Sequence, residues 1–345
     1  MKKIAVFNHK GGVSKTTTVF NIGWKLASIG KRVLLVDADS QCNLTQYALG
    51  VARFEDFYDS SNPNNIKDAL EPAFKSKPKL IEAVDCIKVH KNDNLFLLPG
   101  HLDLSENEVQ LGMSFQLTDT MGALKNLPGS FDYLFAELTR KYKFDYILID
   151  MNPSLSAINQ DLFISADYFI VPTSPDIFSY MSIKSLAKFL PLWEKWAVKA
   201  RPLFKDAEYP LPSSTPKFLG YTINDFNLSH GKAATDFRRQ MNRIADAVNK
   251  HLLPALKDNK MLLPEAVYQS AAHINKKHHL NYSLYCLAEI SNFNKLIAIS
   301  NERSIPIYEI DYSLLNSEGQ KRTHDWFKSL FGLITEKILV LTDVE

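Results

Sequence analysis

The residues best suited to chemistry lie near the start of the chain, in Asn8-His9-Lys10-Gly11-Gly12-Val13-Ser14-Lys15-Thr16-Thr17-Thr18. Lys15 is a flexible cation with the reach to meet the β- and γ-phosphates of a nucleotide. The Thr16 hydroxyl suits Mg²⁺, which prefers oxygen ligands and keeps several waters. Gly11 and Gly12 allow close backbone approach and positive φ. A second lysine, Lys10, precedes the glycines. The ordinary nucleotide-loop pattern G-x-x-x-x-G-K-[ST] fails at both glycines, where His9 and Ser14 stand.

Carboxylates supply the complementary chemistry. Val33-Leu34-Leu35-Val36-Asp37-Ala38-Asp39 releases two of them, spaced i, i+2, from the end of an apolar run. Beside Mg²⁺ and a triphosphate, one could orient an attacking water while the other supports the metal's water shell. A capping role is the alternative, because Asp39 or Ser40 could start the next helix. Tyr146-Ile147-Leu148-Ile149-Asp150 is a third apolar run ending in a carboxylate that could hold Mg²⁺ through water.

The elements that must position these groups can be read from the apolar pattern. Ile4–Phe7 reads as a strand and Val19–Ile29 as a helix, so the loop between them aims backbone N–H groups and a helix N-terminus at phosphate. The strand candidates are Lys3–Phe7, Arg32–Asp37, Leu95–Leu98, Tyr146–Asp150, Tyr168–Pro172, Lys217–Asn224, Met261–Leu263 and Ile305–Glu309. Those near the loop are almost continuously apolar, as in a parallel sheet buried on both faces. Alternation with helices predicts a doubly wound α/β fold, with ligands beyond the carboxyl ends of the strands. Residues 51–94 and 265–304 break the rhythm and read as helical insertions. No linker divides the 345 residues, so a single domain, 1–345, is expected.

Net charge is only +2, so bulk charge singles out no partner. Its distribution is uneven: Lys184 to Lys260 holds fourteen Lys/Arg against seven Asp/Glu. That region could face nucleic acid or an anionic membrane. The three cysteines, Cys42, Cys86 and Cys286, have no metal-ligand spacing and suit a reducing cytosol. No uninterrupted apolar run approaches the roughly 18 residues of a membrane span.

Lys10–Thr16, Asp37–Thr45 and Asp150–Ser154 together resemble the ParA family of partition ATPases, within the wider ParA/MinD group. That family reads K-G-G-x-x-K-[ST], then D-x-D-P-Q-x-N-x-T, then a hydrophobic strand ending D-x-P-P-S. Weaker likeness continues through Leu97-Leu98-Pro99-Gly100, Ala166–Pro172 and Ile305-Pro306-Ile307. The resemblance implies a P-loop ATPase using ATP and Mg²⁺, with Gly11, Gly12, Val13, Ser14, Lys15, Thr16 and Thr17 around the phosphates. It implies that Lys10 reaches across a dimer interface to the partner's nucleotide, that Lys15 binds nucleotide in its own subunit, and that Asp39 orients the hydrolytic water. Thr16, Asp37 and Asp150 would serve the metal, with Asp37 alternatively a switch residue. Asn224 would contact adenine, and Pro264 would line the base pocket. Ser14, Ser40 and Asn152 depart from the pattern without removing a charged group. Slow, partner-stimulated hydrolysis is expected.

Two kinds of output remain open from the residues. One is partition of a plasmid or chromosome: the ATP-bound homodimer coats double-stranded DNA non-specifically, is nucleoid-associated in the cytoplasm, and is released by a ParB-like activator. A helix over Lys232–Leu252 would bury Phe237, Met241, Ile244, Val248 and Leu252 and present Arg238, Arg239, Arg243 and Lys250 to phosphates. The same mechanism could move a protein cargo. The other is a MinD-like membrane-positioned regulator using the aromatic segment His324–Ile334. That segment is poor in Lys/Arg and the sequence closes on Asp343-Val344-Glu345, so packing onto the sheet is the expectation and a membrane is not an expected partner.

Overall fold

A computed structural model describes residues 1–116, 122–229 and 232–343; Val344 and Glu345 therefore lie outside the described residues. The strands are β1 (Lys2–Val6), β2 (Val33–Ala38), β3 (Ile87–Lys88), β4 (Leu95–Leu98), β5 (Tyr146–Met151), β6 (Tyr168–Thr173), β7 (Lys217–Asn224), β8 (Leu228–Ser229), β9 (Lys232–Ala233) and β10 (Cys286–Ile290). The helices are α1 (Lys15–Ser28), α2 (Asn43–Leu49), α3 (Val51–Asp59), α4 (Ile66–Ala69), α5 (Glu71–Phe74), α6 (Glu108–Gln116) and α7 (Ser130–Tyr142), followed by α8 (Ala157–Ser165), α9 (Ile177–Ala200), α10 (Thr235–Ala247), α11 (Leu253–Asp258), α12 (Glu265–Lys277), α13 (Leu296–Arg303) and α14 (Glu318–Thr342).

Eight strands form one sheet in the order β10-β7-β6-β1-β5-β2-β4-β3, parallel except for the antiparallel edge pair β3–β4. Alternate residues of each strand enter two cores. Ala5, Leu34, Val36, Ile147 and Ile149 pack under α7, α8, α9 and α10, while Ile4, Val6, Val33, Leu35 and Leu148 pack under α1, α12 and α14. Helices on both faces of a parallel sheet realise the expected doubly wound fold. Sequence order reverses on either side of β1, so the loop after β1 stands at a switch point.

Three local expectations fail for identifiable reasons. Met261–Leu263 is not a strand: only Phe218 N–H bonds to Met261 O, and the run is caught between Lys260 at φ 57° and Pro264, which lacks an N–H. Ile305–Glu309 is broken by Pro306 and ends in a 3₁₀ turn, Ile307–Glu309. The segment 265–304 is not wholly helical, because Cys286–Ile290 is the edge strand β10. Ala288 and Glu289 hid it, being weak strand formers within a five-residue run. The expected helix over Lys232–Leu252 is α10, extended through a π-turn at Val248–Leu252, while Lys232–Ala233 pairs as β9 with β8. The aromatic C-terminal segment packs inward as expected, with Phe327, Leu330, Phe331 and Ile334 buried. Among the described residues, no helix is long and apolar enough to cross a membrane.

Candidate functional site

The loop between β1 and α1 is held open by its neighbours. Asn8 donates from Nδ2 to Pro172 O of β6 at 2.8 Å and accepts from Lys10 N–H at 3.0 Å. Asn224, at the end of β7, donates from Nδ2 to Val13 O at 2.8 Å. Gly12 and Ser14 take positive φ, 70° and 58°. For Ser14 that conformation costs on the order of 1 kcal/mol, which a glycine would avoid. In return the N-terminus of α1 has no side-chain cap. Among the described residues, no hydrogen bond satisfies the N–H groups of Gly11 through Thr17. A Cβ on Gly11 or Gly12 would meet nothing within 4 Å, so the backbone is open on its outer side. Unpaired donors at an uncapped helix start form an anion cradle.

Three carboxylates approach this cradle in different states. Asp150 is buried; its Oδ2 accepts from Thr16 Oγ1 at 2.6 Å, while Oδ1 has no partner. Burial first, and then the charge of Asp37, push its pKa up to about 8. Asp37 points the other way: its Oδ2 accepts from Thr45 N–H and Thr45 Oγ1, both at 2.7 Å, and its Oδ1 from Asp39 N–H at 3.3 Å. Burial raises its pKa to about 6 against those hydrogen bonds. Asp37 therefore anchors the start of α2, and its oxygens are already engaged. Asp39 lines the cleft and is held by Gln41 N–H at 3.0 Å.

The two lysines are separated. Lys15 is buried and lines the cleft, and burial lowers its pKa against the raising influence of Asp150 and Asp39. Lys10 is not among the residues lining the cleft: its Nζ pairs with Asp176 Oδ2 at 2.6 Å, and Asp176 also caps α9 through Ser179 N–H at 2.8 Å. The cleft itself is about 730 Å³, bounded by Gly11–Thr17 and Asp39 on one side and by Tyr47, Ile297 and Asn301 on the other. A smaller recess of about 160 Å³ continues from Ser14 and Thr17 to Asn224, Ile290, Asn292 and Phe293.

The residues fit a magnesium nucleotide. Seven orphan donors suit phosphate oxygens, and the unpartnered Asp150 Oδ1 beside the Thr16 hydroxyl suits a hydrated cation. Among the described residues no group of three or more His, Cys, Asp or Glu could hold a metal.

Gly11–Thr17, Asp39 and Asn224 line the two cavities and Asp150 meets Thr16 beside them, whereas Lys10 is paired with Asp176, Asp37 is engaged by Thr45, and Pro264 lies apart. It precedes α12 near the start of β7, where Tyr268 Oη donates to Phe218 O, whereas Asn224 ends that strand about 20 Å away. The smaller recess beside Asn224 is lined instead by residues after β10, chiefly Asn292 and Phe293, which the sequence did not reveal because β10 itself was hidden. Ile297 and Asn301 of α13 were missed for the same reason.

The four basic residues expected on α10 are exposed or half-exposed, and each has a partner. Arg238 makes a bidentate pair with Glu289 at 2.7 and 2.9 Å, Arg239 meets Asp236 at 3.3 Å, Arg243 meets Gln240 Oε1 at 3.1 Å, and Lys250 meets Asp246 at 3.2 Å. A second cleft of about 1620 Å³ is separate from the phosphate cradle and lies between α10 and α14, with Arg238, Arg239, Arg243 and Arg322 on its walls.

The chain is similar to several known proteins. An AAA domain family matches residues 1–199, which include the loop, Asp37–Thr45 and Asp150–Ser154. The sporulation initiation inhibitor protein Soj of Bacillus subtilis is 30% identical over 194 residues, covering 56% of this chain and 66% of its own length. The chromosome partitioning protein ParA of Caulobacter vibrioides is 31% identical over 193 residues, covering 54% and 61%. The chain thus spans about half to two thirds of the length of the curated relatives it matches. Among solved structures, protein DIP2308 from Corynebacterium diphtheriae superposes with a TM-score of 0.65 at 21% identity over 100% of both chains. The pNOB8 ParA bound to nonspecific DNA gives 0.56 at 18% identity over 99% of this chain and 97% of that one. At such identities these two likenesses speak for the fold. On the family match the chain belongs to the AAA domain family, and it is homologous to the ParA/MinD-like P-loop partition ATPases.

Proposed function

We propose that this protein is an ATP-dependent dimerising switch that binds double-stranded DNA non-specifically as its ATP dimer and serves partition of a plasmid or chromosome. The observation that carries the reading is the division of labour between the two lysines. Lys15 lines the cleft of its own chain, whereas Lys10 lies outside that lining and is paired with the half-buried Asp176. A cation placed outside its own phosphate site is suited to a neighbouring subunit's phosphates.

In this reading Gly11–Thr17 N–H groups and Lys15 bind the triphosphate, and Asn224 orders the loop on the base side. Thr16 and Asp150 would hold Mg²⁺, which when bound offsets charge on the phosphate oxygens. Asp39 accepts a hydrogen bond from the water that adds to the γ-phosphorus as its bond to the β–γ bridging oxygen breaks, giving ADP and phosphate. Lys10 of a second copy compensates charge on the same phosphates, so dimer lifetime is tied to hydrolysis. The relative named as a chromosome partitioning protein and the fold relative bound to nonspecific DNA support the DNA-directed output. A ParB-like activating partner and a single-domain organisation with insertions at 51–94 and 265–304 belong to the same proposal.

The test is light scattering and phosphate release, with and without MgATP, for wild type, Lys10→Ala, Lys15→Ala and Asp39→Ala. Lys15→Ala should lose nucleotide. Lys10→Ala should bind nucleotide and stay monomeric, and Asp39→Ala should accumulate as a long-lived dimer. A Lys10→Ala protein that dimerises like wild type would defeat the proposal.

A further inference from the structure

The outer face of α9 carries a row of basic residues that the sequence pattern did not single out. Lys184, Lys188, Lys195 and Lys199 are all exposed. At about 100° per residue they fall within roughly 60° of one another around the helix, and at 1.5 Å per residue the row is about 22 Å long. No acid interrupts it: the one carboxylate in α9, Glu194, is buried and held by Arg201 at 3.0 Å and by Thr215 Oγ1 at 2.7 Å. Among the described residues none of the four lysines is ion-paired, whereas Arg238, Arg239 and Lys250 of the neighbouring basic stripe all face carboxylates. Tyr180 joins the two surfaces, with Lys184 Nζ 5.7 Å and the Arg243 guanidinium 5.0 Å from its ring centre.

We propose that this lysine row is the principal phosphate-contact surface for duplex DNA, with α10 as its flank. The inference rests on the DNA-binding reading above and assigns it to different residues. Lysines are hydrated point charges that neutralise phosphates without demanding one geometry, as sequence-independent binding requires. Over about 22 Å one DNA strand presents roughly six phosphates. A lipid surface is disfavoured by the packing. An interfacial helix must free its apolar face, but that of α9, formed by Ile183, Leu186, Leu190, Trp193 and Ala197, is buried in the core. The exposed apolar residues of α9 do not form a separate stripe: Ile177, Met181 and Leu192 stand within or beside the arc of the lysines, and Phe178 and Val198 flank it on opposite sides.

The experiment uses the full chain with Mg²⁺ and a non-hydrolysable ATP analogue. Anisotropy of a labelled random-sequence duplex is titrated across salt, beside co-sedimentation with phosphatidylglycerol vesicles. Replacing all four lysines by Gln should weaken duplex binding at least tenfold near 0.1 M salt and flatten the log K against log salt slope by about 3 to 4. The Arg239→Gln, Arg243→Gln, Lys250→Gln triple variant should lose less of both. Thermal unfolding checks the fold. If the quadruple variant is unstable, the pairs K184Q/K188Q and K195Q/K199Q should each flatten the slope by about 2. Wild-type affinity and slope in the lysine variants, with binding lost in the α10 variant, overturns the inference and leaves the DNA reading standing. Wild type that binds no duplex, whether or not it binds vesicles, overturns both.

Discussion

Replacing Asp176 by Asn should tighten the ATP-dependent dimer. In the single chain Lys10 Nζ lies 2.6 Å from Asp176 Oδ2, with side chains 18% and 37% exposed. For Lys10 to serve a second subunit, this pair must break. A pair so placed is near the top of the surface range, about 1 kcal/mol. Two such pairs break per symmetric dimer, so they oppose assembly by about 2 kcal/mol, or roughly 30-fold in the dimer constant. Asn keeps an oxygen for Ser179 N–H, so the cap of α9 survives while the charge is removed. Sedimentation velocity with Mg²⁺ and a non-hydrolysable analogue should show the dimer dissociation constant falling about 10- to 30-fold. In a Lys10→Ala background the same substitution should leave the protein monomeric, because the gain requires the freed Lys10. An unchanged or weaker dimer in Asp176→Asn would refute the reasoning.

Other outcomes follow from the same geometry. Asp39→Ala should bind ATP with wild-type affinity while single-turnover hydrolysis falls on the order of a hundredfold or more; equal hydrolysis would remove the water-orienting role. Pro264→Ala should leave nucleotide affinity within about twofold, whereas Asn224→Ala, which leaves Val13 O unbonded, should weaken it about five- to tenfold for a lost hydrogen bond of about 1 kcal/mol. Asp161 is buried with both carboxylate oxygens unpartnered, and burial first, then Asp132, hold its pKa well above the usual range. The folded state therefore retains a proton that the unfolded chain releases, and stability falls as pH rises from about 4. Asp161→Asn should flatten that fall and gain about 2 kcal/mol at pH 8 in denaturant unfolding, and an unaltered pH profile would contradict it.

Much of the phosphate end was legible because its constraints are local. A strand, a glycine pair, Lys15-Thr16 and a helix must be contiguous to form a cradle, and the apolar runs that end in Asp37 and Asp150 bring those carboxylates to the same sheet edge as neighbours β2 and β5. What the pattern could not show was long-range. Whether Asp37 turns to a metal or to Thr45 depends on the path of the chain eight residues later. The recess beside Asn224 needed β10, whose pairing to β7 comes from residues more than sixty positions away and whose own sequence is weakly strand-like. Charge is hard to read in one dimension for a related reason. The arginines of α10 look free in one dimension, but Glu289 arrives from β10 to hold Arg238. The α9 lysines look diluted by Leu192, Trp193 and Trp196 until the helix turns Trp193 inward and gathers the lysines on one side.

The helix α9 gives these separate observations a mechanical connection. Its first turn is capped by Asp176, the residue that holds Lys10, and its outer face carries the four lysines over the following turns. Its inner face is anchored in the same core as Phe7, which leads directly into the phosphate loop, with the Phe7 and Trp193 rings 5.6 Å apart. Ser174, just before the cap, also reaches the loop, its Oγ 3.5 Å from Gly12 O. A subunit approaching the nucleotide face would therefore draw Lys10 away from the same 24-residue element that presents its charges to phosphate. If dimerisation and DNA binding are coupled through this helix, Asp176→Asn should raise apparent duplex affinity at limiting protein concentration, because more protein is dimeric. Once every variant is fully dimeric, the salt slope should match wild type. A slope that changed with Asp176 at saturation would instead place the carboxylate in the DNA interface itself, and the latch would lose its role as a control on assembly.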